Sequence, residues 1–276
     1  MARWLPSFRQ PPPAAPGPAE RGAAVSHAPF RIESWALTHE GRVRTHNEDS
    51  HIVRDGDGLW AVADGMGGHE GGDWASARIV AALERVEAGG GFEAVCAAAA
   101  EAIRAANGEI LAEARERGRQ MGSTAVVLVI EGARYAVLWV GDSRAYLLRS
   151  GKFIPLSRDH SQVQEMVARG LMTAEQAAGH PMGHILSRAV GVQAEVEVDR
   201  VDGEVEGGDI FLLSSDGLHG VVADAEIAGH LGRDAPDRAL DQLVALTLER
   251  GAPDNVTAVA IWVSEPTLIS FADPKP

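Results

Sequence analysis

Six acidic side chains of this 276-residue chain stand where they could share metal ions. Four of them flank short apolar runs, beside a glycine or a proline that permits a sharp turn: Asp64, Asp142, Asp216 and Asp254. Because the end of one strand lies beside the start of its neighbour in an antiparallel sheet, these carboxylates are expected to meet at one edge of the fold. Glu48 and Asp49 add two more, just ahead of a predicted strand near residues 51–54.

Carboxylates that gather without a cation repel one another and resist ionisation. Mg²⁺ and Mn²⁺ relieve this repulsion because they prefer oxygen ligands, and they retain several water molecules. Two such ions joined by a bridging carboxylate activate a water molecule and hold it in line with a phosphorus atom. A single Asp-Gly pair is ordinarily only a turn, and residues 55–58 (Asp-Gly-Asp-Gly) are interpreted in that way. If the six positions converge, the chemistry that they predict is the hydrolysis of a phosphate ester.

Strand-like and helix-like segments alternate from about residue 30 to residue 263 and would position these side chains. Apolar and alternating runs predict strands at residues 59–63, 123–130, 135–140, 145–148, 195–201, 210–213 and 256–263. Helical periodicity predicts helices at residues 73–87, 92–117, 160–169 and 235–250. Only residues 131–134 separate the second run from the third, which indicates an antiparallel hairpin. The predicted fold class is α+β, with antiparallel sheets covered by helices.

Composition argues against several classes of protein. The chain has 25 Lys and Arg against 39 Asp and Glu, which gives a net charge of −14. Such an acidic balance disfavours nucleic-acid binding and adsorption to an anionic membrane. Cys96 is the single cysteine, so no internal disulfide can form, and no stretch approaches the roughly 18 apolar residues of a membrane span. We expect a cytoplasmic monomer with no nucleic-acid or membrane partner.

The chain is predicted to contain one domain between two tails. Residues 1–30 hold seven of the 14 prolines, and proline removes a backbone donor, so this segment is interpreted as a disordered tail rich in proline and alanine. Its Pro13–Pro16 spacing could be a docking ligand for another domain, or the tail could have no specific partner. The domain is assigned to residues 31–264, with a small helical flap at about 157–186 and a short tail at 265–276.

Six short motifs follow one another along the chain: Arg-Thr-His-Asn-Glu-Asp at 44–49, Ala-Asp-Gly-Met-Gly-Gly-His at 63–69, Gly-Ser-Thr at 122–124, Val-Gly-Asp-Ser-Arg at 140–144, Leu-Ser-Ser-Asp-Gly at 213–217 and Asp-Asn-Val-Thr at 254–257. Together they resemble the metal-dependent protein phosphatase family, the type-2C serine/threonine phosphatases, in its bacterial form. The resemblance runs from about residue 36 to residue 263. Asp-His-Ser at 159–161 and His-Pro at 180–181 are similar to the flap of bacterial members. The resemblance implies a four-layer α/β/β/α sandwich, with two antiparallel sheets flanked by helices.

The same resemblance implies a role for each acidic position. Asp64 would bridge two ions, Mn²⁺ or Mg²⁺, and the Gly65 carbonyl would bind one of them. The other implied ligands are Asp216 and Asp254 on the second ion, Glu48 and Asp49 through metal-held water, and Asp142 on a third, weaker ion. Arg44 would clamp the substrate phosphate, because a guanidinium group offers two parallel donors to phosphate oxygens.

The implied reaction is direct attack on phosphorus by a water molecule that bridges the two metal ions. The leaving serine or threonine oxygen needs a proton, and Met66 stands where many eukaryotic relatives have a histidine. His69 is the candidate acid or substrate contact, and a metal-held water could serve instead. Flap residues near His160 and His180 are expected to meet the substrate protein.

The sequence thus favours a metal-dependent phosphatase that hydrolyses phosphoserine and phosphothreonine in proteins. A serine/threonine kinase and its targets are the partners that the resemblance implies. Two alternatives stay open: a regulatory binding module of the same fold, and a phosphatase for small phosphoesters. Fold alone does not decide between them, because one fold hosts many functions.

Overall fold

The computed structural model describes residues 20–21, 25–27, 30–68, 71–177 and 180–265. The strands are β1 (Glu20–Arg21), β2 (Val25–His27), β3 (Phe30–His39), β4 (Asp49–Arg54), β5 (Leu59–Met66), β6 (Gly122–Ser123), β7 (Ala125–Glu131), β8 (Arg134–Val140), β9 (Arg144–Arg149), β10 (Lys152–Pro155), β11 (Asp199–Glu204), β12 (Ile210–Ser214) and β13 (Val256–Ser264). The helices are α1 (Gly72–Leu83), α2 (Phe92–Arg117), α3 (Gln162–Ala168), α4 (Ala174–Ala177), α5 (Asp216–His219), α6 (Asp224–Arg233) and α7 (Pro236–Glu249).

Two antiparallel sheets form the centre of the molecule. The first has the strand order β1-β3-β13-β12-β9-β10, with β2 also paired to β3, and the second has the order β11-β8-β7-β5-β4, with β6 paired to β5. The predicted hairpin is confirmed as β7 and β8, which pair from Ala125↔Val140 to Glu131↔Arg134. This pairing of sequence neighbours is what the short connection between the two apolar runs requires.

Three apolar cores hold four layers together, which confirms the predicted α+β sandwich. Strand β7 shows the principle, because Val126 and Leu128 face the core between the sheets while Val127 and Val129 face the core under α1 and α2. Both faces of β7 are thus buried, and its sequence is accordingly an unbroken apolar run. The third core packs α6 and α7 against the outer face of the first sheet.

A buried polar group links the two sheets. Asp55, in the 3₁₀ turn after β4, accepts hydrogen bonds from Ser34 Oγ at 2.6 Å and from Trp60 Nε1 at 2.8 Å. Ser34 lies on the first sheet and Trp60 on the second, and both are fully buried. The Asp-Gly-Asp-Gly segment is therefore a turn, as interpreted from sequence, whose first carboxylate also joins the sheets.

The flap is a loop whose two ends are tied together. Ser161 and Leu186 form an isolated β-bridge, Gln162 N–H donates to the Ile185 carbonyl, and Ser187 N–H donates to the His160 carbonyl. The described residues between these ends form two short helices, α3 and α4. A capping box begins α4, because Thr173 Oγ1 accepts from Gln176 N–H at 3.2 Å while Gln176 Oε1 accepts from Thr173 N–H at 2.9 Å.

The chain ends lie mostly outside the described residues. Within the segment assigned to the N-terminal tail, β1 and β2 pair with β3. Residues 1–19 and 266–276 are not described, so the disordered-tail prediction stays a prediction for them. In the described part of the chain, no helix combines the length and the apolar character that a membrane crossing needs.

Candidate active site

Strand ends bring the predicted acidic residues to one cavity. Asp49 at the start of β4 lies directly opposite Asp64 near the end of β5. Asp216 follows β12 and Asp254 precedes β13, and these two strands are paired. A cavity of about 420 Å³ is lined by five of the six acidic side chains together with Arg44 and Gly65: Glu48, Asp64, Asp142, Asp216 and Asp254.

The pair of Asp49 and Asp64 is electrostatically unfavourable without a cation. Like charges directly opposite one another destabilise an antiparallel pair. Removal from water, followed by repulsion from neighbouring carboxylates, raises the pKa of both groups. Ser215 Oγ donates to Asp49 Oδ2 at 2.8 Å, whereas none of the described residues donates a hydrogen bond to the buried Asp49 Oδ1. A buried carboxylate oxygen without a donor is what a hard cation, or water held by one, would satisfy.

The rest of the donor set fits the same cation chemistry. Burial and the nearby Asp216 raise the pKa of Asp142 to about 7, and burial and the nearby Asp254 raise the pKa of Asp216. Among the described residues, no three His, Cys, Asp or Glu side chains already surround one point as a finished ligand cage. The carboxylates share a cavity instead, which suits Mn²⁺ or Mg²⁺ because these ions keep part of their water shell.

Two glycines let the backbone close up around the carboxylates. A Cβ on Gly65 would overlap the Gly72 carbonyl group, and one on Gly217 would overlap the Asn255 carbonyl oxygen. Gly65 follows Asp64, and Gly217 follows Asp216, so each glycine fixes the path of a chain that carries an acidic side chain. The Asp-Gly pairs are therefore more than turns here, since a side chain would push the two segments apart.

Arg44 lies at the rim of the cavity and is paired to an acidic residue of the site. Its Nη2 donates to Asp254 Oδ2 at 2.7 Å, and 51% of its side chain is exposed. An exposed ion pair of this kind contributes little to stability. Arg44 can therefore exchange this carboxylate for a phosphate oxygen at low cost.

Asn255, within the Asp-Asn-Val-Thr motif at 254–257, holds part of the site in place, a role that we did not predict from the sequence. Its Oδ1 accepts from Glu48 N–H at 2.8 Å, and its Nδ2 donates to the carbonyls of Glu40 and His46 at 2.9 Å each. With 4% exposure, its side chain holds the loop of residues 40–48, which carries Arg44, against the start of β13. The motif indicated that this position matters, but it could not identify the hydrogen-bond partners of Asn255, which lie more than 200 residues away in sequence.

His160 is a buried residue that contacts the turn carrying Asp142. Its side chain is buried, with 8% exposure, and its ring is stacked on that of Trp139 with the ring centroids 6.1 Å apart. Its Nδ1 accepts a hydrogen bond from Gly141 N–H at 3.0 Å. Its Nε2 lies 3.3 Å from Asp199 Oδ2. The structure therefore places His160 beneath the turn that carries Asp142, and the expected contact between nearby flap residues and a substrate protein stays a prediction.

The remaining flap histidines lie beside a second cavity. This space of about 630 Å³ lies between the flap and the acidic site, and its lining includes His180, His184, Asp142 and Asp216. His184 also lines the first cavity. The predicted acid His69 is outside the described residues, so its role stays a prediction.

Comparison with known proteins agrees with this geometry. The model of the family described as protein phosphatase 2C matches residues 35–166. The serine/threonine phosphatase stp of Listeria innocua is 35% identical over 246 residues, which cover 85% of this chain and 95% of that protein. The chain belongs to the protein phosphatase 2C family.

Two further similarities bear on the extent of the match. The serine/threonine protein phosphatase PstP of Mycobacterium tuberculosis is 38% identical over 229 residues, or 81% of this chain, but the match covers only 43% of PstP. A solved structure of the catalytic domain of PstP in complex with two manganese ions aligns with a TM-score of 0.76 at 35% identity, over 85% of this chain and 99% of that one. The chain thus corresponds to the part of PstP that was solved as its catalytic domain.

Proposed function

We propose that this protein is a metal-dependent phosphatase for phosphoserine and phosphothreonine in proteins. One observation carries the proposal: five carboxylates and an exposed arginine line a single cavity. The named relatives are serine/threonine phosphatases, which supports the same reaction. The manganese ions of the PstP structure support a divalent cation in the acidic site.

The acidic residues would hold the cations. Asp64, Gly65, Asp216 and Asp254 are the proposed direct ligands, and Glu48 and Asp49 would act through water. Asp142 would belong to a third, weaker ion. When bound, the cations supply positive charge that polarises the phosphate and lowers the pKa of water.

The chain's own residues then orient the substrate. Arg44 leaves Asp254 and donates in parallel to two phosphate oxygens, which turns the phosphorus toward the carboxylates. In hydrolysis, water forms a new bond to phosphorus while the bond to the serine or threonine oxygen breaks, and that oxygen takes up a proton. Met66 has no proton to give, so His69 or a water molecule is the proposed donor.

The alternatives are weaker for specific reasons. A regulatory module of this fold would be favoured by loss of Asp64 or Asp216, and both line the cavity. A phosphatase for small phosphoesters needs enclosing walls, whereas this cavity opens to a rim where Arg44 is half exposed. An open rim suits a phosphorylated side chain that projects from a protein.

Turnover of a phosphothreonine peptide by the purified chain tests the proposal. Activity should appear with Mn²⁺ or Mg²⁺, disappear after chelation and return when the ion is restored. A parallel assay with a small sugar phosphate distinguishes a protein phosphatase from a phosphatase for small phosphoesters. Full turnover after exhaustive chelation, or binding of the phosphopeptide without turnover at any metal concentration, would contradict the proposed function.

The cellular setting is part of the proposal. A serine/threonine kinase and its targets are the proposed partners, and a monomer in the cytoplasm is the proposed working form. The single cysteine, Cys96, supports a reducing compartment, since it is buried and can form no internal disulfide.

A further inference from the structure

An apolar wall adjoins the acidic residues within the same cavity. It consists of Met66, Leu186, Ala189 and Val192. Met66, Leu186 and Val192 are half-buried, so their side chains are open to the cavity and are not part of a closed core. Single exposed apolar residues need no explanation, but a group of them at the edge of a charged site does.

The wall is built on the strand that carries Asp64. Met66 lies two residues beyond Asp64 on β5, and side chains two residues apart in a strand share a face at a spacing of about 7 Å. Strand β6 continues the sheet, because Met66 pairs with Gly122 and Ser123 forms a bridge with Val190. The backbone therefore fixes the distance between the wall and the acidic residues.

Gly122 brings the two outer side chains of the wall together. A Cβ built on Gly122 would lie 2.9 Å from Met66 Cε and 3.1 Å from Val192 Cγ2. These two side chains thus lie side by side over a position that has no side chain of its own. Any larger residue at 122 would displace them.

We propose that this wall is a subsite for an apolar side chain of the substrate, within two positions of the phosphorylated residue. The inference rests on the proposed function and adds a substrate class: phosphoproteins with an apolar residue close to the phosphoserine or phosphothreonine. An extended peptide places side chains on one face about 7 Å apart, the same spacing that separates Asp64 from Met66. A phosphate held at the carboxylates therefore puts a neighbouring side chain over the wall.

Charge at the wall supports an apolar occupant. Arg188 lines the same cavity, but its Nη1 donates to Asp199 Oδ1 at 2.6 Å and its Nη2 lies 3.3 Å from Glu197 Oε2. This arginine is already neutralised, so it does not select an acidic substrate residue.

A peptide series on the full chain tests the subsite. One phosphothreonine peptide is made with Leu, Ser or Asp in turn at each of the four positions nearest the phosphothreonine, and p-nitrophenyl phosphate serves as the substrate without a peptide. At one position or more, Leu should exceed Asp by about tenfold in kcat/KM, equivalent to about 1.4 kcal/mol. The isosteric variants Val192→Thr and Met66→Gln should bring that ratio toward one, and Val192→Lys should shift the preference toward Asp.

A matched control is Ile154→Thr, because Ile154 is 39% exposed on β10 and lines neither cavity. It should keep the wild-type ratio. Equal turnover of all peptides by the wild type, or an unchanged ratio in both isosteric variants, would overturn the subsite while p-nitrophenyl phosphate is still hydrolysed. Absence of metal-dependent turnover of every substrate would overturn the proposed function, and the subsite with it.

Discussion

Replacing Asn255 with alanine tests whether one buried carboxamide holds the loop that carries Arg44. The change removes the acceptor of Glu48 N–H and the donors to the carbonyls of Glu40 and His46. At about 1 kcal/mol for each hydrogen bond, the free energy of unfolding should fall by ~3 kcal/mol. A domain with the usual stability of about 5–15 kcal/mol would stay folded at 25 °C.

Activity should fall for a different reason. Once the loop of residues 40–48 is released, Arg44 no longer meets the phosphate at a fixed distance, and a misplacement of about 1 Å costs on the order of 100-fold in rate. The assay is kcat/KM on a phosphothreonine peptide for wild type, Arg44→Ala, Asn255→Ala and the double variant. If Asn255 acts through Arg44, the double variant should match Arg44→Ala alone, because the two losses overlap.

A control separates this role from simple destabilisation. Ser34→Ala also removes a buried hydrogen bond, the one between the sheets, and Ser34 lies outside the cavity lining. It should lower the unfolding temperature but retain turnover at 25 °C. Multiplicative losses in the double variant, or wild-type turnover by Asn255→Ala, would refute the reasoning.

Three further outcomes are expected. Mn²⁺ at a hundred times its dissociation constant should stabilise chelator-treated protein by about 2.7 kcal/mol in thermal melts, because it binds the folded carboxylates; an unchanged unfolding temperature would contradict this. Asp216→Asn should abolish peptide turnover and yet leave the metal-free protein at least as stable as wild type, because one repelling charge is gone; near-normal rates at low metal, or a marked loss of stability, would count against its role. Gly217→Ala should lower the unfolding temperature strongly, since its Cβ meets the Asn255 carbonyl, whereas Gly56→Ala, with open space around the Cβ, should not; equal melts for the two would show that the contact carries no strain.

The strands at the centre of the fold could be predicted because their sequences are unbroken apolar runs. The run predicted at 59–63 is the buried part of β5, and the runs around residues 123–140 became β7 and β8. β3 was missed because no turn signal sets off its mixed sequence, whose burial depends on pairing with β13. α6 was missed because its two glycines obscure the helical pattern, and tertiary packing outweighs that cost.

The exact ends of helices and strands, and contacts between residues far apart in sequence, could not be predicted from the local sequence pattern. The strand predicted at 195–201 is β11, which begins only at Asp199, where pairing with β8 starts. α1, predicted to reach residue 87, ends at Leu83. The acidic positions could be recognised from their motifs, but the carboxamide of Asn255 and the buried ring of His160 take their roles from partners distant in sequence.

The tied ends of the flap have a consequence for how this enzyme fold can diversify. Because residues 160–162 and 185–187 pair with each other, the segment between them leaves and re-enters the domain at nearly one point. Loop-closure entropy grows only slowly with length, so helices of another size or sequence could replace α3 and α4 without disturbing either sheet. Recognition of new targets could then evolve by exchanging this module while the hydrolytic centre is inherited intact.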